Sequence, residues 1–143
     1  MVRTKIINRV KQETPGIKLE DAHIIVSGGR GIGGPDGFKQ LEELAELLRG
    51  AVGATRPPCD SGWVPATIQI GLTRKVVTPE LYFAIAISGA NQHLAGCSSA
   101  KTIVAINRDP EANIFNVAHF GAVGDWNQIL PSFIEKVKEF RAK

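Results

Sequence analysis

A polar turn between Ser88 and His93 carries the side chains best suited to chemistry. It follows the apolar run 81–87, Leu-Tyr-Phe-Ala-Ile-Ala-Ile, which has the length of a buried strand. The turn begins with Ser-Gly and continues with Asn91, Gln92 and His93, whose side chains can hydrogen-bond to the edge of a ring. In an open α/β sheet, ligands bind beyond the carboxyl ends of the strands, where backbone N–H groups face the crevice. The pattern predicts a site for a nucleotide-like cofactor.

A glycine-rich loop at residues 28–35 is the second candidate site. Residues 29–34 match the pattern G-x-G-x-x-G between a predicted strand and a predicted helix, which is the context of a dinucleotide-binding loop. Such folds also need an acid at the end of the second strand to hold the ribose, and that strand ends Gly-Ala-Thr-Arg. Arg30 suits a phosphate or pyrophosphate, and Arg56 could meet a ribose phosphate. An NADP-dependent oxidoreductase therefore stays open, although no hydride-positioning site is visible, and so does a plain glycine turn with a solvated arginine.

The elements that must position these loops are predicted from apolar patterns. Short apolar runs predict strands at 23–26, 51–54, 81–87, 102–106 and, more briefly, 117–118. Apolar residues at three- and four-residue spacing predict amphipathic helices over 38–48 and 129–140, and the turn leads into a short helix at 91–95. Residues 55–65, with three prolines, are predicted to be irregular, and Pro131 to lie near the first turn of the last helix.

Strands that alternate with helices, and that are almost continuously apolar, indicate a parallel sheet covered on both faces. The fold class predicted is therefore α/β, with a doubly wound, mainly parallel sheet of the Rossmann-like nucleotide-binding type. Residues 1–22 are predicted to be a polar lead-in or linker, and residues 23–143 the domain.

Composition narrows the class of protein. The chain has 143 residues, 43% of them hydrophobic, and a net charge of +3, which is ordinary for one globular domain. No apolar stretch approaches the ~20 residues of a membrane span. No secretory signal is expected, because residues 1–5 have no apolar core and no small-residue cleavage site. Cys59 and Cys97 lack metal-ligand spacing and are expected to be reduced thiols in a cytoplasmic protein. The mild positive charge lies mostly near the two ends, which argues against nucleic-acid binding.

The remaining polar residues show no catalytic pattern of their own. There is no Ser-His-Asp spacing, no poised pair of carboxylates and no His/Cys metal set. His23, His119 and Trp126 are interpreted as structural, whereas His93 is interpreted as functional. The loop that contains Asp60 and Trp63 has two interpretations. Either the Trp63 ring packs to hold the loop in place, or the loop covers the ligand. Any chemistry is expected to belong to a cofactor that the protein positions.

Five motifs in order carry a resemblance to a known family. They are the glycine-arginine loop and the segments 53–56, 60–65, 88–93 and 105–110. With them the chain resembles the C-terminal, FAD-binding domain of the electron transfer flavoprotein alpha subunit, over about residues 23–140. The resemblance implies a carrier of electrons, rather than an enzyme with its own substrate, that receives electrons from dehydrogenases and passes them to a quinone-linked or other acceptor. It also implies a heterodimer with a beta subunit.

The resemblance also implies roles for individual residues. Arg30 would contact the FAD pyrophosphate, Arg56 would lie over the isoalloxazine ring near N1 and O2, and Thr73 would hydrogen-bond near N5. Thr55 would keep a hydroxyl for the cofactor. The full set of cofactor-binding residues that the resemblance predicts is Arg30, Thr55, Arg56, Gln69, Gly71, Thr73, Ser88, Gly89, Ala90, Gln92, His93, Asn107 and Asp125.

Within that set, the turn 88–93 would wrap the ribityl chain and the flavin ring, with His93 near O2. Asn107 and Asp125 would hold the adenosine part. The chain departs from the usual family pattern at four positions, which are Leu72, Arg74, Asn91 and His119. Leu72 and Arg74 support an alternative function, a module of the same fold that binds AMP or ADP, or a partner, and has lost redox function.

Overall fold

A computed structural model describes residues 19–71 and 75–141. A five-stranded parallel sheet forms the centre, with strand order β2-β1-β3-β4-β5. The strands are β1 (Ile24–Gly28), β2 (Ala51–Ala54), β3 (Leu81–Ile85), β4 (Thr102–Asn107) and β5 (Phe120–Val123). This order reverses between β1 and β3, which is the switch point where doubly wound sheets bind ligands.

Five helices join or flank the strands, and both faces of the sheet are covered. The helices are α1 (Gly37–Leu48), α2 (Arg56–Asp60), α3 (Asn91–Cys97), α4 (Ile114–Val117) and α5 (Trp126–Arg141). The prediction of a doubly wound, parallel α/β fold is confirmed.

Alternation along the strands divides the core into two layers. In β3, Phe83 and Ile85 face the layer formed with α1 and α5, whereas Tyr82 and Ala84 face the layer formed with α3 and α4. Successive side chains of a strand point to opposite faces, so a strand that is buried on both sides reads as a continuous apolar run. The run in β3 has this property because all of its central residues are buried.

The amphipathic helix α1 buries Phe38, Leu41 and Leu44 against the sheet and ends at Arg49 in the left-handed conformation. On the opposite face, Leu19 in a short 3-10 turn is 6% exposed and belongs to the core that contains Tyr82. The burial of Leu19 shows that part of the segment before residue 23 packs onto the sheet.

The structure corrects three local predictions. Residues Arg56–Asp60, inside the stretch predicted to be irregular, form α2, because Pro57 and Pro58 lie in its first turn, where a missing N–H costs nothing. The predicted strand at 117–118 is wrong, since Val117 ends α4 and the fifth strand is Phe120–Val123. The last helix begins at Trp126 rather than Ile129, so Pro131 lies beyond the first turn.

Among the described residues, no helix is both long and apolar enough to cross a membrane.

Candidate functional site

One cleft of about 800 Å³ lies at the carboxyl ends of the strands. Segments that follow all five strands line it, from the glycine loop after β1 to residues 124–127 after β5. Ligand sites in proteins typically enclose ~300–1,000 Å³. The cleft therefore has both the size and the position of a ligand site in a doubly wound fold.

The glycine loop forms one wall by close backbone contact with the end of β3. Gly29 N–H donates to the carbonyl of Ile85 at 3.1 Å. A Cβ atom added at Gly29 would lie 2.6 Å from the oxygen of Ala86, and one added at Gly31 would lie 2.9 Å from the Cβ of Ala86. Trp126 anchors the same loop, since its indole N–H donates to the carbonyl of Gly31 at 3.1 Å. Gly29 and Gly31 are thus needed for the loop to pack this closely on the end of β3.

A strained backbone shapes the turn after β3. Ala86 adopts a φ of 57°, in the left-handed region that side chains disfavour. It is held there by its N–H, which donates to the carbonyl of Ile106 at 2.7 Å. Gly89 has a φ of 97°, and a Cβ atom there would collide with the backbone of Ile114. Strained backbone persists only where the surrounding structure holds it, and it is common at ligand-binding sites. The strain at Ala86 is therefore consistent with a binding role for this turn.

Positive charge dominates the cleft. The cleft is lined by three arginines, which are Arg30, Arg56 and Arg108. Asp125 is the acidic residue among the lining residues. The Nε of Arg56 is 3.1 Å from a carboxylate oxygen of Asp60, one helical turn away, and no ion pair joins Arg30 or Arg108 to another described residue. One guanidinium group can donate two parallel hydrogen bonds to phosphate oxygens. The three arginines therefore suit a diphosphate ligand.

Two polar side chains are buried at the cleft without an internal partner. Thr55 and Gln69 are each 8% exposed, and their side chains form no hydrogen bond with another described residue. Both residues line the cleft and their polar atoms are not fully enclosed, so they are available to a ligand.

His93 is buried with both ring nitrogens occupied. Its Nε2 lies 2.6 Å from the hydroxyl of Tyr82 and its Nδ1 lies 3.0 Å from the carbonyl oxygen of Ile70. Burial lowers the pKa of His93 from 6.5 to about 4, so the ring is neutral near pH 7. The ring lines the cleft, but in this arrangement neither nitrogen is free for a ligand. The position near flavin O2 implied by the resemblance stays a prediction.

Asn107 and Asp125 also form internal hydrogen bonds. The amide of Asn107 donates to the carbonyl of Ile87 and its oxygen accepts from the N–H of Asp109, both at 2.9 Å. One carboxylate oxygen of Asp125 accepts from the N–H of Asn127 at 2.9 Å, at the start of α5. Asn107 joins the ends of β3 and β4, and the second carboxylate oxygen of Asp125 remains for a ligand.

The structure brings most of the predicted site residues to the cleft. Those that line it are Arg30, Thr55, Arg56, Gln69, Gly71, Ser88, Ala90, Gln92, His93, Asn107 and Asp125. Gly89 does not line it and instead supports the turn from behind. Thr73 lies outside the described residues, as do Leu72 and Arg74, so the predictions for these positions stay predictions.

Sequence reasoning did not single out Arg108 or assign Trp126 to the site. Arg108 directly follows the last residue of β4, and a cation at the carboxyl end of a parallel strand was the available signal. Trp126 packs in the core as predicted, but its hydrogen bond to Gly31 spans 95 residues and carries no local signal. His119 is structural as interpreted, because its Nδ1 accepts from the N–H of Ile103 at 2.9 Å.

Comparison with known proteins identifies one family for this chain. Residues 18–98 match the family described as electron transfer flavoprotein FAD-binding domain. The electron transfer flavoprotein subunit alpha of Thermoanaerobacterium thermosaccharolyticum is 52% identical over 98% of this chain, and that of Bacillus subtilis is 52% identical over 96%. The mitochondrial subunit alpha of Dictyostelium discoideum is 54% identical over 90%.

These relatives are longer proteins. The chain covers 42% of the two bacterial subunits and 36% of the one from Dictyostelium. The match to the family nevertheless extends over more than half of the chain, and it includes β1, the glycine loop, β3 and the polar turn that ends in α3. The chain therefore belongs to the electron transfer flavoprotein FAD-binding domain family.

Proposed function

We propose that this chain binds FAD in the cleft and serves as the electron-carrying part of an electron transfer flavoprotein alpha subunit. The observation that carries the proposal is the cleft itself, which combines a close-packed glycine loop, three guanidinium groups and the switch point of the sheet. Membership in a family of FAD-binding domains identifies the dinucleotide.

The residues of the cleft fit such a ligand. The glycine loop packs closely on the end of β3 and brings Arg30 to the cleft lining, where its guanidinium can bind a diphosphate. At the other wall, Thr55 and Gln69 offer unpaired polar side chains beside Arg56. The cleft thus offers cationic groups for the diphosphate and polar groups for a ring with several nitrogen and oxygen atoms.

FAD supplies the redox chemistry, because its isoalloxazine ring accepts and donates electrons. The protein binds the cofactor, excludes water from one side of it and sets the local electric field. Arg56 contributes positive charge, which Asp60 partly offsets because the two side chains form an ion pair at 3.1 Å. Asp125 leaves one carboxylate oxygen for the hydroxyl groups of a ribose.

The partners and location follow from the family and belong to the same proposal. We propose a heterodimer with a beta subunit, electron donors among the dehydrogenases, and a quinone-linked or other acceptor. We also propose a cytoplasmic location, as expected for a chain whose buried Cys97 is a reduced thiol.

Titration of the purified chain with FAD tests the proposal. Binding is expected to perturb the visible absorption bands of the flavin and quench its fluorescence, and the titration is repeated with a beta subunit added. Competition with ADP measures how much affinity comes from the flavin part. Failure to bind FAD in the presence of the beta subunit refutes the proposal, and equal affinity for ADP and FAD favours the nucleotide-binding alternative.

Arg56→Ala tests the proposed control of the flavin. Loss of this cation is expected to lower the reduction potential of bound FAD, because positive charge near the ring favours the more negative, reduced form. The Arg56 side chain is 69% exposed, so its ion pair with Asp60 contributes at most ~1 kcal/mol to stability. Lys39→Ala is the matched control, since it removes one positive charge from an exposed ion pair outside the cleft lining. An unchanged or higher potential in Arg56→Ala contradicts the proposed role.

A further inference from the structure

A buried chain of hydrogen bonds runs from the central strand to the edge of the cleft. Tyr82 is 0% exposed and lies on the face of β3 that packs against α3. Its hydroxyl meets Nε2 of His93 at 2.6 Å, and Nδ1 of the same ring meets the carbonyl oxygen of Ile70 at 3.0 Å. Three segments that are distant in the sequence are thus joined through one imidazole ring.

The partners determine the tautomer of His93. A carbonyl oxygen only accepts hydrogen bonds, so Nδ1 carries the hydrogen and donates to Ile70. Because the ring is neutral, Nε2 then has only a lone pair, and the hydroxyl of Tyr82 donates to it. The Nε2–H tautomer could still donate to the phenol oxygen, but it would leave a lone pair of Nδ1 facing the carbonyl oxygen of Ile70, which repels it.

The segment held by this chain forms a wall of the cleft. Gln69, Ile70 and Gly71 all line it, yet they belong to no strand. Backbone hydrogen bonds attach the segment on the other side, where Ile70 N–H donates to Ala54 at 2.9 Å. On the α3 side, Gly71 rests directly on Gly96, where an added Cβ atom would lie 2.6 Å from the Gly71 nitrogen. His93 is the side chain of α3 that hydrogen-bonds to the Gln69–Gly71 segment among the described residues.

We propose that Tyr82 is a positioning residue for the cleft, whose hydroxyl donates to Nε2 of His93, keeps the ring where its Nδ1–H reaches Ile70, and so holds the Gln69–Gly71 wall against α3. Tyr82 itself does not line the cleft, so it acts only through His93. The proposal rests on the proposed function for the identity of the ligand, which is FAD. Its structural part concerns the protein alone and can be measured without any ligand.

The alternative is that Tyr82 only fills the core. Both roles predict a loss of stability when the side chain is changed, so stability does not distinguish them. They differ in what happens to His93. A positioning role requires the hydrogen bond between His93 and Ile70 to depend on the hydroxyl of Tyr82, whereas a filling role requires only the ring of Tyr82.

Tyr82→Phe removes the hydroxyl and keeps the ring. The matched control is Ile103→Val, since Ile103 is 1% exposed in the same core layer and forms no side-chain hydrogen bond. In ligand-free protein at pH 7, nitrogen NMR of the imidazole is expected to show the Nδ1–H tautomer in the unaltered chain and in Ile103→Val. In Tyr82→Phe the ring is expected to stay the Nδ1–H tautomer, because the carbonyl of Ile70 still requires a donor, but its ring hydrogen is expected to exchange faster with solvent and the amide signals of Gln69 to Gly71 to change. FAD binding to Tyr82→Phe is expected to weaken about tenfold, and binding to the control to stay the same.

The possible results separate a positioning role of Tyr82 from a filling role. An Nε2–H or charged ring in the unaltered chain overturns the inference, and this measurement remains informative if Tyr82→Phe fails to fold. An unchanged exchange rate of the His93 ring hydrogen, together with unchanged Gln69–Gly71 signals in Tyr82→Phe, also overturns it. If the unaltered chain binds no FAD even with a beta subunit added, the proposed function fails, while the ring and amide signals still test the positioning role. If FAD binds equally well to Tyr82→Phe although these signals change, the link from His93 to the ligand is refuted.

Discussion

Gly29→Ala tests whether the glycine loop depends on close contact with the end of β3. The added Cβ atom would lie 2.6 Å from the oxygen of Ala86 and 3.0 Å from the Cα of Ile87. An unstrained C···O contact is about 3.3 Å, so the loop must move by roughly 0.7 Å. The atoms on the other side are backbone and cannot rotate away. That movement also strains the hydrogen bond from Gly29 N–H to Ile85, which is 3.1 Å long.

The expected cost follows from these contacts. Overpacking of a dense site costs about 1–3 kcal/mol, and a weakened backbone hydrogen bond adds up to ~1 kcal/mol. Replacement of glycine lowers the entropy of the unfolded chain and returns about 0.4–1 kcal/mol. The free energy of unfolding should therefore fall by about 1–3 kcal/mol. FAD affinity should fall as well, because the loop forms a wall of the cleft.

Gly34→Ala is the matched control in the same loop. A Cβ atom at Gly34 would meet nothing within 4 Å, and its φ is not in the left-handed region. Its free energy of unfolding should stay within about 0.5 kcal/mol of the unaltered value. Urea unfolding followed by circular dichroism measures both variants, and flavin fluorescence measures FAD affinity. Equal midpoints for Gly29→Ala and Gly34→Ala would refute the argument from close packing.

Two further predictions concern buried or strained residues near the cleft. Because folding lowers the pKa of His93 from 6.5 to about 4, the unfolded chain takes up a proton that the folded chain does not, and stability should fall as the pH decreases from 6.5 to 4. The free energy of unfolding should fall by about 3 kcal/mol in total over this range. A His93→Asn variant should lack this part of the pH dependence of stability, and a variant with the same pH dependence as the unaltered chain would contradict the prediction. Ala86→Gly should raise the free energy of unfolding by about 0.5–1 kcal/mol, since relief of a φ of 57° outweighs the entropy cost of glycine. Ala84→Gly, at 0% exposure in ordinary strand geometry, should instead lower it, and urea midpoints that do not separate the two variants would count against strain at Ala86.

Local patterns of apolar residues predicted most of the strands and helices. The run 81–87 predicted β3 because a strand buried on both faces has no polar residue to alternate with. The spacing of Phe38, Leu41 and Leu44 predicted α1 because these side chains share one face of a helix. The pattern failed at β5, which is an edge strand whose Phe120 and Val123 are more than half exposed and which is defined by its pairing with β4. It failed at α2 because prolines that usually break helices are tolerated in the first turn.

The sequence by itself determined that a glycine loop and a polar turn follow two strands, and parallel strands necessarily place both at one edge of a sheet. That reasoning was enough to predict a nucleotide site at this edge, and the resemblance to the family grouped Arg30, Arg56 and the turn 88–93 around it. Only the tertiary structure decided what each side chain can do there. His93 was predicted to face the flavin, yet its two nitrogens bind Tyr82 and Ile70, which are 11 and 23 residues away. No local pattern contains such contacts, because packing of α3 on the sheet creates them, and packing excludes the water that would otherwise satisfy the ring.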